Sequence, residues 1–177
     1  CSSVTTSAIS GNTTITLVSL SDGTYSDCTV TVTDTAGNSV TLNMSSFTVD
    51  TTAPSVSSFI LSDTLLKTGD NATVDLVFSE VVVGFSSDAD ITVANGTLAA
   101  MTSSDNKTWT GIFTPTATNT QDWSNILLLG TGYTDTAGNT GTAANTAIYM
   151  VDNINPSVNS FTLSNTALKA GDNATVT

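Results

Sequence analysis

The 26 residues from Val49 to Val74, VDTTAPSVSSFILSDTLLKTGDNATV, decide the fold, because a near copy of them occurs later in the chain. Residues Val151 to Val176 read VDNINPSVNSFTLSNTALKAGDNATV, a shift of 102 residues, with 18 of the 26 positions identical. The hexapeptide TDTAGN at Thr33 to Asn38 returns at Thr134 to Asn139, a shift of 101 residues. Two independent pairs with one period indicate a tandem array of modules.

The period divides the 177 residues into three parts. Residues 1–49 are predicted to be the C-terminal half of one module, residues 50–151 a complete module, and residues 152–177 the N-terminal strands of a further module. We refer to them as the N-terminal, central and C-terminal segments.

Short alternating stretches indicate β-strands throughout. Val74, Leu76 and Phe78 alternate with Thr73, Asp75 and Val77, which is typical of a strand with one buried face. Turn sequences such as Thr-Gly-Asp-Asn and Ala-Gly-Asn separate these stretches at short intervals. The pattern predicts an all-β sandwich, with at most a single helical turn between Asp122 and Leu129.

The charge balance excludes several classes of function. The chain has 15 acidic residues, three lysines, no arginine and no histidine, for a net charge of −12. Such a chain repels nucleic-acid phosphates and anionic membrane surfaces, and no apolar run is long enough for a spanning helix. Histidine is the usual general base near neutral pH, and arginine is the usual anion-binding group of active sites. The chain has neither, so we expect no enzyme activity.

The two cysteines, Cys1 and Cys28, are the only thiols. A pair of cysteines in such a chain favours one disulfide over a metal site and indicates an oxidising, extracytoplasmic setting. A lipid-modified Cys1 is the alternative interpretation.

Four sequences together resemble a known family: VDTTAP, VFSEVV, LSDGTY and TDTAGN. They are similar to the bacterial immunoglobulin-like (Big) repeats of giant surface adhesins, and LSDGTYSDCTVTVTDTAGN is the most specific stretch. The resemblance implies tandem Ig-like β-sandwich modules at the cell surface. Tyr25 precedes Cys28 by three residues, not the two found in antibody domains, so no tyrosine corner is expected.

The Ig-like topology that the resemblance implies places the B–C and F–G loops beside the linker that enters a module. Asp50 in the linker, Glu80 after the B strand and Asp135 in the F–G turn are then expected to converge. Calcium binds oxygen ligands from separate loops in flexible geometry, so the positions predict a calcium site. Further candidate ligands are Asn139, Asp22 from the preceding module, and the repeat-related Asp34 and Asp152. The alternative is that these aspartates only form Asx-turns.

Other side chains allow modification or binding. Six N-x-Ser/Thr sequons predict N-glycosylation sites at Asn12, Asn43, Asn71, Asn95, Asn106 and Asn173. Lys67 and Lys169 occupy equivalent positions where an isopeptide crosslink or an exposed lysine would fit. Trp109 and Trp123 are expected to pack in the sandwich, with stacking on a sugar as the alternative.

The function predicted from these features is a structural spacer or stalk module of a repetitive cell-surface adhesin, stiffened by calcium at module junctions. The expected partners are neighbouring Ig-like modules, with a surface receptor or glycan bound through other regions. A self-assembling extracellular filament with strand exchange between chains is the first alternative. A glycan- or ice-binding module is the alternative from another class.

Overall fold

The computed structural model describes residue 1, residue 14, residues 16–116 and residues 121–177, and for residues 121–124 it describes the backbone alone. The predicted Asn12 sequon lies outside the described residues. Across the part of the chain that is described, no helix has the length and apolar character needed to cross a membrane.

Fourteen strands and one short helix make up the regular structure of the described residues. In chain order they are β1 (Gly23–Tyr25), β2 (Thr29–Thr33), β3 (Ser39–Asn43), β4 (Phe47–Val49), β5 (Val56–Leu61), β6 (Leu65–Leu66), β7 (Ala72–Phe78), α1 (Ser87–Asp90), β8 (Ile91–Val93), β9 (Gly96–Leu98), β10 (Thr108–Pro115), β11 (Gln121–Asn125), β12 (Leu127–Leu129), β13 (Ala144–Asn145) and β14 (Tyr149–Asp152). The fold class predicted from the sequence is confirmed.

The central segment is a β-sandwich. One sheet has the strand order β5-β7-β10-β9, and the facing layer consists of β11-β14-β6 and β13-β12-β8. Strand β7 alternates strictly between buried and half-buried residues, as its sequence predicts, because successive side chains of a strand point to opposite faces. Its inward face meets Leu127 and Leu129 of β12 in one apolar core.

Aromatic side chains fill the middle of this core. The Phe78 and Tyr133 rings lie 4.7 Å apart, and the Phe113 and Tyr149 rings lie 5.0 Å apart. Such ring pairs contribute roughly 0.5–1.5 kcal/mol beyond the burial of their area. The Tyr133 hydroxyl donates to the Thr142 carbonyl at 2.7 Å, so this buried ring satisfies its polar atom.

The N-terminal segment contributes two antiparallel strand pairs, β1 with β4 and β2 with β3. The prediction that Tyr25 forms no tyrosine corner was wrong. Its hydroxyl donates to the Ser21 carbonyl at 2.8 Å, as the tyrosine of such a corner does. The spacing argument assumed one continuous strand from Tyr25 to Cys28. The chain instead leaves β1 at Tyr25 and enters β2 at Thr29, in a different sheet.

The helical turn also differs from its prediction. Residues 121–125 and 127–129 form strands β11 and β12, and the helix is α1 at Ser87–Asp90. The apolar run Leu127–Leu129 pairs with β8 and buries two of its three leucines in the core. Tertiary packing therefore overrides the helix propensity of leucine here.

Candidate metal centre at the first junction

Three carboxylates reach the first junction, which we define as residues 50–52, from three separate elements. Asp50 follows β4 directly, and Glu80 stands two residues beyond the end of β7. Asp135 lies in the turn closed by the bridge between Thr134 and Thr140. The β-sandwich brings the end of β7 and this turn to the same end of the central segment, where the chain enters it.

One oxygen from each of Asp50, Glu80 and Asp135 lies within 4.8 Å of the other two. Asp135 is buried, with 2% of its surface exposed, and the other two side chains are half-buried. Within the described residues this is the one group of three or more acidic, cysteine or histidine side chains close enough to hold a metal ion. The convergence expected from the sequence is therefore present in the structure.

The electrostatics of Glu80 reflect this crowding. Partial burial raises the pKa of its carboxyl, and the negative charges of Asp50 and Asp135 raise it further, against a smaller lowering by Lys107. Like charges held together disfavour ionisation, whereas a bound cation would favour it. A positive charge at this place would therefore favour the ionised form of Glu80.

Asp135 is held in place by its own turn. Its Oδ1 accepts the backbone N–H groups of Ala137, Gly138 and Asn139 at 2.8, 2.7 and 2.9 Å. Burial alone would raise the pKa of Asp135, but the hydrogen bonds from Asn139, Gly138 and Ala137 lower it below its ordinary value. Gly138 has φ of 96°, a backbone conformation that favours glycine. The Asx-turn interpretation therefore describes Oδ1 correctly, and the second oxygen faces Asn139.

Asn139 joins the turn to the linker. Its Nδ2 donates to Asp135 Oδ2 at 2.7 Å and to the Asp50 carbonyl at 3.0 Å. The amide nitrogen thus donates to the Asp135 carboxylate and to the backbone of the linker at Asp50, so Asn139 acts here as a donor. Its predicted role as an oxygen ligand stays a prediction.

The other candidate ligands do not belong to the group of three carboxylates. Asp34 caps its own turn, accepting Ala36 N at 2.9 Å, Asn38 N at 2.8 Å and Asn38 Nδ2 at 2.9 Å, as Asp135 does. Asp152 accepts the Ile154 N–H at 2.9 Å, which matches the bond from Thr52 N to Asp50 at 3.0 Å. Asp22 lies at the first junction, but its carboxylate contacts Thr51 and Thr52 and is not one of the three grouped carboxylates.

The remaining candidates have plain structural settings. A disulfide joins Cys1 and the buried Cys28, with a Cα–Cα distance of 5.3 Å. The Lys67 Nζ pairs with Asp70 at 2.8 Å on an exposed side chain, and Trp109 packs edge-on against Phe85 at 4.8 Å. The side chain of Trp123 lies outside the described residues. The five sequon asparagines within the described residues are exposed: Asn43, Asn71, Asn95, Asn106 and Asn173.

Sequence reasoning missed the donor contacts of this region. The position of Asp22 beside the linker was predicted, but its choice of two threonines as partners was not. A signal was present in the sequence, since Thr51 and Thr52 are adjacent hydroxyl residues directly after Asp50. Hydroxyl side chains next to a carboxylate are ordinary hydrogen-bond donors.

Comparison with known proteins identifies the family. Two family models, each described as a bacterial Ig-like domain, match residues 50–151 and residues 2–51. No curated protein and no solved structure matches the chain. Bacterial Ig-like domains are typically non-catalytic structural modules and usually occur in surface or extracellular proteins. The chain belongs to the bacterial Ig-like domain family.

Proposed function

We propose that this chain is a spacer segment of an extracellular, adhesin-type surface protein, and that a calcium ion bound by Asp50, Glu80 and Asp135 stiffens its first junction. The observation that carries the proposal is the convergence of these three carboxylates within 4.8 Å beside the linker. The segment acts mechanically, without catalysis, and its partners are the neighbouring Ig-like modules.

The spacer role follows from the repeat. A tandem period of about 100 residues produces length, because each module adds its strands and a linker. A stalk needs joints that resist bending. The first junction has a short linker, and Asn139 already donates hydrogen bonds to its Asp50 and Thr52 carbonyls.

The cation accounts for the charge of the site. Two half-buried carboxylates and a buried one repel each other, which costs stability unless a positive charge is present. Calcium accepts six to eight oxygens at 2.3–2.6 Å in flexible geometry, so backbone carbonyls and water can complete the shell. Because Asp50 belongs to the linker, a bound ion ties the linker to the central segment.

Thermal unfolding of the full chain with millimolar calcium and with excess chelator tests this role. Glu80→Gln is the sharpest variant, because it removes the repulsion and the ligand charge together. We expect the chelated variant to unfold at a higher temperature than the chelated parent protein, and to lose the calcium response. In the parent, a hundredfold excess of calcium over Kd should stabilise the fold by about 2.7 kcal/mol.

Asp75→Asn is the matched control, since Asp75 is an acidic residue of the same strand, β7, that leads to Glu80. This variant should keep the full calcium response. Equal midpoints with and without calcium in the parent protein would refute the cation role and leave the carboxylates as turn formers. Repeating the titration with magnesium identifies the ion, because magnesium demands tighter octahedral geometry and should stabilise less.

A second candidate function is the filament with strand exchange. The observation that favours it is the exposure of Phe161 and Val158 in the C-terminal segment, since the equivalent Phe59 is buried in the central segment. In a filament, strands of a neighbouring chain would cover these apolar positions, whereas in a stalk strands of the same polypeptide would cover them. Light scattering of the full chain across concentrations separates the two, because strand exchange between chains requires concentration-dependent oligomers.

A further inference from the structure

The linker at the first junction is bonded on two sides. On the side of the N-terminal segment, Asp22 Oδ1 accepts Thr51 N at 3.0 Å and the Thr51 hydroxyl at 2.8 Å. Its Oδ2 accepts the Thr52 hydroxyl at 3.0 Å. On the side of the central segment, Asn139 donates to the Asp50 carbonyl. The linker is therefore bonded through Thr51 and Thr52 to the N-terminal segment and through the Asp50 carbonyl to Asn139.

Asp22 is itself held by its own segment. It immediately precedes β1, whose Gly23 pairs with Val49 of β4, so the strand register places Asp22 beside the start of the linker. The hydrogen bond from Tyr25 to the Ser21 carbonyl fixes the corner that carries Asp22. A carboxylate on a fixed corner can hold the linker in one orientation relative to the N-terminal segment, whereas a carboxylate on a free loop cannot.

We propose that Asp22, Thr51 and Thr52 form a hydrogen-bonded clamp that fixes the angle between the N-terminal and central segments without a metal ion. Both carboxylate oxygens already accept donors, and the clamp lies outside the group of three carboxylates. Hydrogen bonds to an ionised acceptor are the strong class, and three of them converge here. The Asp22 clamp is thus a second joint element that does not rest on the proposed calcium site.

The charge state of Asp22 suits this role. The hydroxyl of Thr51, followed by that of Thr52, lowers the pKa of the Asp22 carboxyl below its ordinary value. The carboxylate therefore stays ionised over the whole neutral range and remains an acceptor for all three donors.

The second junction differs in sequence at the positions of the clamp. It consists of residues 152–154. There the register places Gln121 opposite Asp152, so Gln121 occupies the position that corresponds to Asp22. Asn153 and Ile154 replace the two threonines. Asn153 Oδ1 instead accepts Thr68 N at 2.6 Å and the Thr68 hydroxyl at 2.8 Å. The two linkers are consequently bonded to their preceding segments by different chemistry.

Residual dipolar couplings of the full chain in excess chelator test the clamp. Amides of β2 and β3 report the N-terminal segment, and amides of β7 and β10 report the central segment. In the parent protein we expect one alignment tensor to fit both sets. In Asp22→Ala we expect the degree of order of the β2 and β3 amides to fall at least twofold relative to those of β7 and β10.

Asp27→Ala is the matched control, because Asp27 is an exposed acidic residue of the same segment. It should keep the single tensor. The double variant Thr51→Val and Thr52→Val removes both hydroxyl donors while leaving the N-terminal segment unaltered, so it decides the matter if Asp22→Ala loses the β2–β3 hairpin. A single tensor in the double variant, or an equal loss of order in Asp27→Ala, would overturn the clamp.

The experiment also separates the clamp from the calcium site. Glu80→Gln should abolish the calcium response while leaving the alignment in chelator unchanged. The clamp variants should change the alignment in chelator and still respond to calcium in thermal unfolding. Either proposal can therefore fail alone.

Discussion

The central and C-terminal segments contain two copies of one hairpin that share their local contacts and differ in burial. Leu61 pairs with Val74 in the first copy, and Leu163 pairs with Val176 in the second. The bond from Ser62 N to Thr73 O is 2.8 Å, and its equivalent from Ser164 N to Thr175 O is 2.9 Å. Yet Phe59 is 6% exposed and its copy Phe161 is 78% exposed.

The comparison separates local from tertiary information. The contacts that the two copies share, in register, turn and side-chain caps, are encoded within about 20 residues, because they join residues of the hairpin itself. Burial depends on strands far away in the chain, such as β10 and β12, which the second copy lacks among the described residues. A repeat detected in the sequence therefore predicts strand pairing reliably, but it predicts a core only where the whole module is present.

The largest expected effect is a difference in unfolding free energy between variants of the two equivalent phenylalanines, Phe59 and Phe161. Phe59→Ala should destabilise the central segment by about 3–5 kcal/mol, because it leaves a cavity in a packed core. Phe161→Ala, the matched control in the second copy, should leave the same unfolding transition within about 0.5 kcal/mol. Urea unfolding followed by tryptophan fluorescence measures both, since both tryptophans, Trp109 and Trp123, belong to the central segment. Equal shifts in the two variants would contradict the difference in burial between Phe59 and Phe161.

A smaller effect on stability is expected when either of two tyrosines, Tyr133 or Tyr25, loses its hydrogen bond to a backbone carbonyl. Tyr133→Phe removes the donor to the Thr142 carbonyl inside the core and should cost the central segment about 1 kcal/mol in the same urea assay. Tyr25→Phe removes the donor to the Ser21 carbonyl in an exposed setting of the N-terminal segment. It should leave central unfolding unchanged and increase hydrogen exchange at the Thr51 amide. Loss of central stability in Tyr25→Phe would show that the segments unfold together.

The smallest effect concerns pH and a single turn of the central segment. Hydrogen bonds from the Thr108 and Lys107 backbone lower the pKa of Asp105 to about 2. A depressed folded-state pKa stabilises the fold above the unfolded pKa, and this contribution is lost as pH falls from the ordinary value of 3.8 towards 2. Asp105→Asn should therefore lower the urea midpoint at pH 7 and have no effect at pH 1.5. Carbon-detected NMR of the Asp105 carboxyl checks the pKa directly, and a midpoint near 3.8 would refute the prediction.

The sequence predicted the sandwich and the meeting of Asp50, Glu80 and Asp135, because the topology of an Ig-like module determines which loops share an end. It did not predict which donors each aspartate would take. Asp22 binds two threonines, and Asn139 turns its nitrogen to the Asp135 carboxylate and the Asp50 carbonyl. Such choices depend on side-chain positions within an ångström. The interruption of the strand between Tyr25 and Cys28 could not be predicted either, because spacing rules presuppose a continuous strand.

The disulfide between Cys1 and Cys28 has a consequence for a chain placed under tension. Its loop spans a sequence separation of 27 residues, and a covalent loop cannot be pulled straight. At roughly 3.4 Å per extended residue, the residues inside the loop would add about 90 Å of contour length. The disulfide prevents this part from extending when the N-terminal segment unfolds. In a single-molecule force experiment, adding a reductant should lengthen the extension of that segment by this amount. The bond thus limits how far the N-terminal segment can stretch.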